Sequence, residues 1–175
     1  GGSVTSGSGT AAAIHTLAAA GGTVNIGAAA TVNGAASGIA IRDGDFAQTG
    51  TDTLGGNAVV TTAGTVTGDA ILGLGNDSLA LTGGSFSGNI YGDDRTASAA
   101  DGNDSFTWIG GTLAGGFYGQ NGSDTALVSA PAYNGSTILD GGDDVSAAAG
   151  WVGKLTLQGV AATPGGAQLA NWETI

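Results

Sequence analysis

Two pairs of adjacent carboxylates, Asp93-Asp94 and Asp143-Asp144, are the residues of this 175-residue chain best suited to chemistry. Two carboxyls about 5–9 Å apart across a bound sugar, one with a raised pKa, cleave a glycosidic bond. Consecutive residues of a strand point to opposite faces, so adjacency does not deliver that geometry. No His, Arg or Lys lies near Asp143-Asp144 in the chain, and this pair sits at a turn position that recurs along it. Turn-capping is therefore the favoured role, and the chain is expected not to be an enzyme.

Metal chemistry is the second candidate. Gly73-Leu-Gly75-Asn-Asp77-Ser-Leu79 matches half of the Gly-Gly-x-Gly-x-Asp-x-apolar nonapeptide of calcium β-rolls, and 101–104 and 119–124 match in part. A β-roll works because consecutive nonapeptides set two turns around one ion. Here the turns recur about every twenty residues, so the fold is expected to be calcium-independent and to carry no cofactor. Oxygen ligands on stacked turns leave weak calcium bridging open. Of the sequons at Asn76, Asn103, Asn121 and Asn134, three are read as by-products of the same turn chemistry, and the set as coincidence. His15 is the only histidine and stands in a Thr/Ala stretch without a marked partner.

Composition narrows the classes further. Arg42, Arg95 and Lys154 are the only cations against 14 acidic residues, a formal net charge of −11. Nucleic acid and anionic membrane surfaces need clustered cations, so neither is a partner. The chain has no cysteine, no initiator Met and no secretory signal, as expected of a processed product or an excised piece. Leu, Ile, Val and Phe make up only about a fifth of the residues, while Gly contributes 36. Such a composition fits either disorder or a fold with small residues at many fixed places, and periodicity decides between them.

The periodicity is that of a repeat. Gly64-Thr-Val66-Thr-Gly68, Gly84-Ser-Phe86-Ser-Gly88, Gly111-Thr-Leu113-Ala-Gly115 and Pro131-Ala-Tyr133-Asn-Gly135 share one small–small–apolar–x–Gly pattern. A Gly-x-Asp turn follows each: Gly75-Asn-Asp77, Gly102-Asn-Asp104, Gly122-Ser-Asp124 and Gly142-Asp-Asp144. Starts at 64, 84, 111 and 131 step by 20, 27 and 20 residues, and earlier starts at 24 and 44 put Ile26 and Phe46 at the apolar position. Alternation resumes after each turn at Ile39/Ile41, Val59/Thr61, Leu79/Leu81, Phe106/Trp108 and Ala126/Val128. Period two and richness in Val, Ile, Thr and aromatics predict strands. Two or three strands per unit describe an all-β, right-handed parallel β-helix, a β-solenoid with about 20-residue coils. Residues 1–175 form one such domain, with clear repeats over 24–150 and weaker terminal coils at 1–23 and 151–175. About eight coils at roughly 4.8 Å each give a rod of roughly 40 Å. The Asp and Asn side chains are expected to cap their own turns, and Val66, Phe86, Leu113 and Tyr133 to stack in one column.

Units such as Gly75-Asn-Asp77-Ser-Leu79-Ala-Leu81-Thr-Gly-Gly and Ile138-Leu-Asp140-Gly-Gly-Asp-Asp144, with the closing phrase Asn171-Trp172-Glu173-Thr174-Ile175, resemble passenger domains of bacterial type V autotransporters. The resemblance runs over roughly residues 24–175. It implies export to the bacterial cell surface, with attachment to the membrane only through a C-terminal β-barrel missing from this chain. It also implies a role in adhesion: the partner is a host-cell surface or matrix component, or another copy of the chain. A passive structural stalk and a polysaccharide-active β-helix enzyme are the alternatives.

Near-identical coils leave specificity to the places that break the pattern. The clearest break is a seven-residue insertion within Asp93–Asp101, expected to leave the rod as a surface loop. Asp93, Asp94 and Arg95, flanked by Tyr91 and Trp108, are the candidate partner-contact residues, with Trp108 sharing the phase of core positions.

Overall fold

A computed structural model describes residues 1–7, 9–17, 19–45, 53–95, 102–129, 131, 133, 135–142, 150–161 and 164–175. The described residues form strands, turns and bends without a helix. The strands sort into two sheets of nine and seven members, and every pairing is parallel. The seven-stranded sheet stacks Ile14–Thr16, Ile39–Asp43, Asp69–Ile71, Ile90–Tyr91, Phe117–Tyr118, Leu139–Asp140 and Leu169–Ala170 in chain order. Between each pair of neighbours the chain passes once through the nine-stranded sheet. This all-β, parallel arrangement is compatible with a β-solenoid.

Alternation along the strands explains the packing. In Ser78–Phe86 the even-numbered side chains of its first half face outward, while Leu79 and Leu81 are buried. Register then aligns like with like. Val24, Val60, Leu79, Phe106, Ala126 and Leu155 form one inward column, and Ile41, Ala70, Ile90, Phe117 and Leu139 oppose it from the other sheet. Each fully buried large apolar side chain contributes about 1.5–3 kcal/mol. The aromatics concentrate in the later rungs, where Phe106 stacks on Phe117 at 5.0 Å and Trp108 meets the edge of Tyr133 at 5.7 Å.

Register agrees with the sequence reading over residues 64–128 and differs before it. Val66, Phe86 and Leu113 do share a column. Tyr133 is buried beside Trp108 without a ladder pairing among the described residues. The rung before Val66 is Val32, which displaces the expected start at 44; Phe46 itself lies outside the described residues. Val24 and Ile26 align with Val60 and Thr62, not with the Val66 column, and Ile39/Ile41 belong to the opposite sheet. The inward pair of that rung is Val60/Thr62, with Val59 43% exposed. The cause is length: Val24 and Val60 are register partners 36 residues apart, whereas Val60 and Leu79 are 19 apart.

The largest additions of length enter at one corner. From each strand of the smaller sheet to the next strand of the larger one, the intervening residues are 17–22, 44–58, 72–77, 92–104, 119–124 and 141–153. Short and long connections alternate, so the insertion read at 93–101 is one of three on alternate rungs.

The Asn and Asp residues that precede the strands at this corner bond between rungs. Asp77 Oδ1 accepts the Ala58 N–H at 2.6 Å, Asp104 Oδ1 that of Asp77 at 2.7 Å, and Asp124 Oδ1 that of Asp104 at 2.7 Å. One position earlier the direction reverses. Asn57 Oδ1 accepts from Asn76 N–H, Asn76 Oδ1 from Asn103 N–H, and Asn103 Oδ1 from Ser123 N–H, at 3.0, 2.7 and 2.6 Å. Every Asn-Asp step thus clasps the rung on each side. Own-turn capping survives at Asn33, which accepts from Ala35 N–H, and at Asp140, which accepts from Gly142 N–H.

The closing phrase continues the same pattern. Trp172 is buried, stacks on Phe117 and donates its indole N–H to the Leu139 carbonyl at 2.8 Å. Thr174 bridges to Lys154, so Glu173 stands below Gly153 and accepts its N–H, repeating the Asp ladder one methylene longer.

Candidate functional site

The outward column of the seven-stranded sheet carries His15, Arg42, Ile71, Tyr91, Tyr118, Asp140 and Ala170 in register. Outward residues of a sheet normally meet solvent, yet Arg42 is 3% exposed and Ile71 is fully buried. The start of the long connection 92–104 explains this. Asp94 reaches back to Arg42, 3.3 Å from its Nη2, and crosses the rung of Ile71 on the way. Asp93 accepts the Gly102 N–H at 3.0 Å and so ties the two ends of the same connection together.

The four candidate residues therefore divide. Asp93 and Asp94, expected on a protruding loop, are 0% and 1% exposed. A carboxylate leaves water only when paired or hydrogen-bonded, and Arg42 and the Gly102 N–H supply those partners. Tyr91 and Arg95 stay at the surface, half-buried. The Arg95 guanidinium lies 5.6 Å from the Tyr91 ring centroid, close enough for a cation–π contact. It also pairs with the Asp69 carboxylate. Residues 96–101, the rest of the insertion, lie outside the described residues, and so does the pair Asp143-Asp144.

Three surface partners were not singled out from the sequence. Tyr118 stacks on Tyr91, ring centroids 5.3 Å apart and planes 18° from parallel. Asn89 donates from Nδ2 to the Tyr91 hydroxyl at 3.2 Å and accepts the Gly116 N–H on Oδ1 at 3.0 Å. Asp69 accepts the Asn89 N–H at 2.8 Å. The available signal was the 27-residue step itself, which aligns Ile90-Tyr91 with Phe117-Tyr118. Burial, with Tyr91, Asp140 and Asp69 nearby, pushes the Tyr118 hydroxyl above its ordinary range. Beside Tyr118 opens a groove of about 540 Å³ running toward Ser136 and Ile138.

The corner holds the other cluster of ionisable groups. Asp43, Asp77, Asp93, Asp94, Asp104 and Asp124 are buried there, with Arg42 as a buried cation. Glycines admit the carboxyls: a Cβ on Gly92 would fall 2.1 Å from Asp104 Oδ2, and one on Gly119 2.3 Å from Asp124 Oδ2. Desolvation, reinforced by the charges of Asp104 and Asp43 against one bond from Ala58, leaves Asp77 pushed up to about 9. Asp77 is thus neutral at pH 7. Among the described residues no three acidic or imidazole groups are arranged to hold a metal ion.

No protein-family model, curated protein or solved structure matches the chain.

Proposed function

We propose that this chain is a segment of an exported, right-handed parallel β-helix of the autotransporter-passenger kind, acting in bacterial adhesion or self-association. The carrying observation is the surface cluster Tyr118–Tyr91–Arg95–Asp69 beside an open groove, set on a rigid parallel sheet. Tyr and Arg are favoured contact residues when they reach the surface, and the sheet beneath holds them at fixed spacing. Spacings of 19, 27 and 20 residues along Val60, Leu79, Phe106 and Ala126 support a basic coil near 20 residues with enlarged alternates. The contact role falls to Arg95, Tyr91 and Tyr118; Asp93 and Asp94 serve by holding the connection down.

The Asp93-Asp94 pair does not favour the glycosidase alternative. Both carboxyls are buried and engaged by Gly102 and Arg42 within the fold, whereas sugar cleavage needs a pair that faces the substrate. The test is gain of function. The chain is displayed on non-adherent cells through a heterologous outer-membrane barrel, and host-cell attachment and cell–cell aggregation are scored against the empty barrel. A rise in either supports the proposal, and parity with the empty barrel on both would contradict it.

A further inference from the structure

We propose that the groove beside Tyr118 is a binding subsite for a neutral, hexose-containing glycan; the biological use of such binding rests on reading this face as the contact face. The groove has a local cause in the sequence. The inward residues that bracket the turn between the sheets are four apart in three successive rungs, Val66/Ala70, Phe86/Ile90 and Leu113/Phe117, but six apart at Tyr133/Leu139. The longer turn raises Ser136, Thr137 and Ile138 as a wall facing Thr112 and Tyr118 of the rung before, with Asn89 beyond them. Its volume of about 540 Å³ falls inside the range of about 300–1,000 Å³ usual for small-molecule sites.

The lining chemistry selects the ligand class. No charged side chain lines the groove, in a chain of net charge −11. Tyr91 covers one side of the Tyr118 ring, and Tyr118 also borders the groove. An aromatic ring with hydroxyls around it matches a sugar, which offers an apolar C–H face and a polar rim. Thr112 and Ser136 are exposed and bring hydroxyls, and the Asn89 amide is fixed by its bonds to Tyr91 and Gly116. Asp140 lies close enough to Tyr118 to raise it, and Asp69 is already paired with Arg95, so sialylated and sulfated glycans meet the Asp140 charge at the rim with the nearby cation engaged.

A peptide strand fits less well. Strand addition needs unpaired backbone groups along an edge, and the groove's backbone is already bonded between rungs. Ala114 N–H donates to Phe86, Gly116 accepts from Ile90, and the Ile138 carbonyl accepts from Phe117. Recognition is left to side chains.

The experiment is calorimetric titration of the 175-residue chain with neutral glucan, mannan and galactan tetrasaccharides, with sialylated and sulfated oligosaccharides, and with an uncharged Gly/Ser/Thr peptide. At least one neutral tetrasaccharide binds, and the anionic sugars bind more weakly or not at all. Tyr118→Ala weakens binding roughly tenfold or more, as truncation of a contact aromatic does. Ile138→Asp abolishes it by placing a charge in the wall, and because Ile138 is 38% exposed this variant keeps the fold if Tyr118→Ala does not. Thr156→Ala, exposed on the other sheet, binds as the parent does. The inference is overturned by absence of neutral-sugar binding, by binding indifferent to both groove variants, or by peptide binding that alone depends on Tyr118. Adhesion is scored in parallel on the same variants. Sugar binding without any adhesion removes the adhesion reading and leaves the subsite; adhesion lost in the groove variants without sugar binding does the reverse.

Discussion

Two regions flank the connection 92–104 and use much the same residue types to opposite ends. At the inner corner, six aspartates are buried: five bond to backbone N–H groups or to Arg42 and Asp43 accepts from the Thr16 hydroxyl, so the chemistry is spent on holding rungs together. On the outer sheet face, two tyrosines, an arginine and an aspartate stay at the surface beside a groove. What separates the two is the backbone opposite. Gly92 and Gly119 leave space that a carboxyl enters at the corner, whereas on the face Tyr91, Tyr118 and Asp140 stand side by side on successive rungs. Six of the ten acidic residues among the described residues are buried, so the formal charge overstates the acidity that this part of the chain offers a partner.

The comparison breaks most readily at the buried ion pair. Arg42→Met leaves Asp94 buried without its guanidinium, 1% exposed, and should cost about 3–5 kcal/mol in urea unfolding. Its effect on a site made only of surface residues would be indirect, through loosening of the connection that carries Arg95. Next comes the glycine column. Gly92→Ala and Gly119→Ala each drive a methyl into a carboxyl oxygen, at 2.1 and 2.3 Å, and should lose about 2–4 kcal/mol. Gly27→Ala meets nothing within 4 Å and should be neutral or slightly stabilising, by up to about 1 kcal/mol.

A pH series sharpens the corner further. Asp77 is pushed up to about 9 from its ordinary value of 3.8. The folded chain therefore holds a proton that the unfolded chain releases. The stability from this group is full below pH 3.8 and is lost as pH rises toward about 9. Melting temperature should fall over that window, opposite to the trend of an ordinary paired carboxylate. Asp77→Asn keeps the acceptor for Ala58 N–H and should flatten the decline; a decline of unchanged slope would assign it to another group. The smallest loss of stability is at Arg95. Its pair with Asp69 is partly exposed, with side chains 30% and 19% accessible, so Arg95→Ala should cost no more than about 1 kcal/mol while reducing attachment.

Legibility in the sequence followed the same division. The rungs from Gly64 onward were readable because a Gly-x-Asp turn fixes the phase and the alternation after it identifies the inward pair, as at Leu79/Leu81 and Phe106/Trp108. Before Gly64 the strands Thr23–Ile26, Thr31–Asn33 and Ile39–Asp43 have similar Val/Ile/Thr patterns, and no Gly-x-Asp marks which sheet each joins. A rung lengthened to 36 residues then slid the phase. Tyr91 and Arg95 were found because an insertion flags a departure from the repeat. Asp94 looked solvated because its partner, Arg42, is 52 residues away and no local pattern links the two, and Asp93 because its partner is a backbone N–H, that of Gly102, which no residue type announces. The ladder direction of Asn and Asp was likewise invisible, since a cap on the next rung and a cap on the same turn need the same residue.

The most direct measurement is the number of adherent or aggregated cells displaying the Tyr91→Ala/Tyr118→Ala chain, relative to parent at equal surface density and equal melting temperature. Both rings sit on the outer face and neither is in the buried core, so folding is expected to survive. Adhesion that falls roughly tenfold or more, as loss of two contact aromatics implies, agrees with a contact face on the seven-stranded sheet. Adhesion equal to the parent's would contradict it and move the contact elsewhere on the chain.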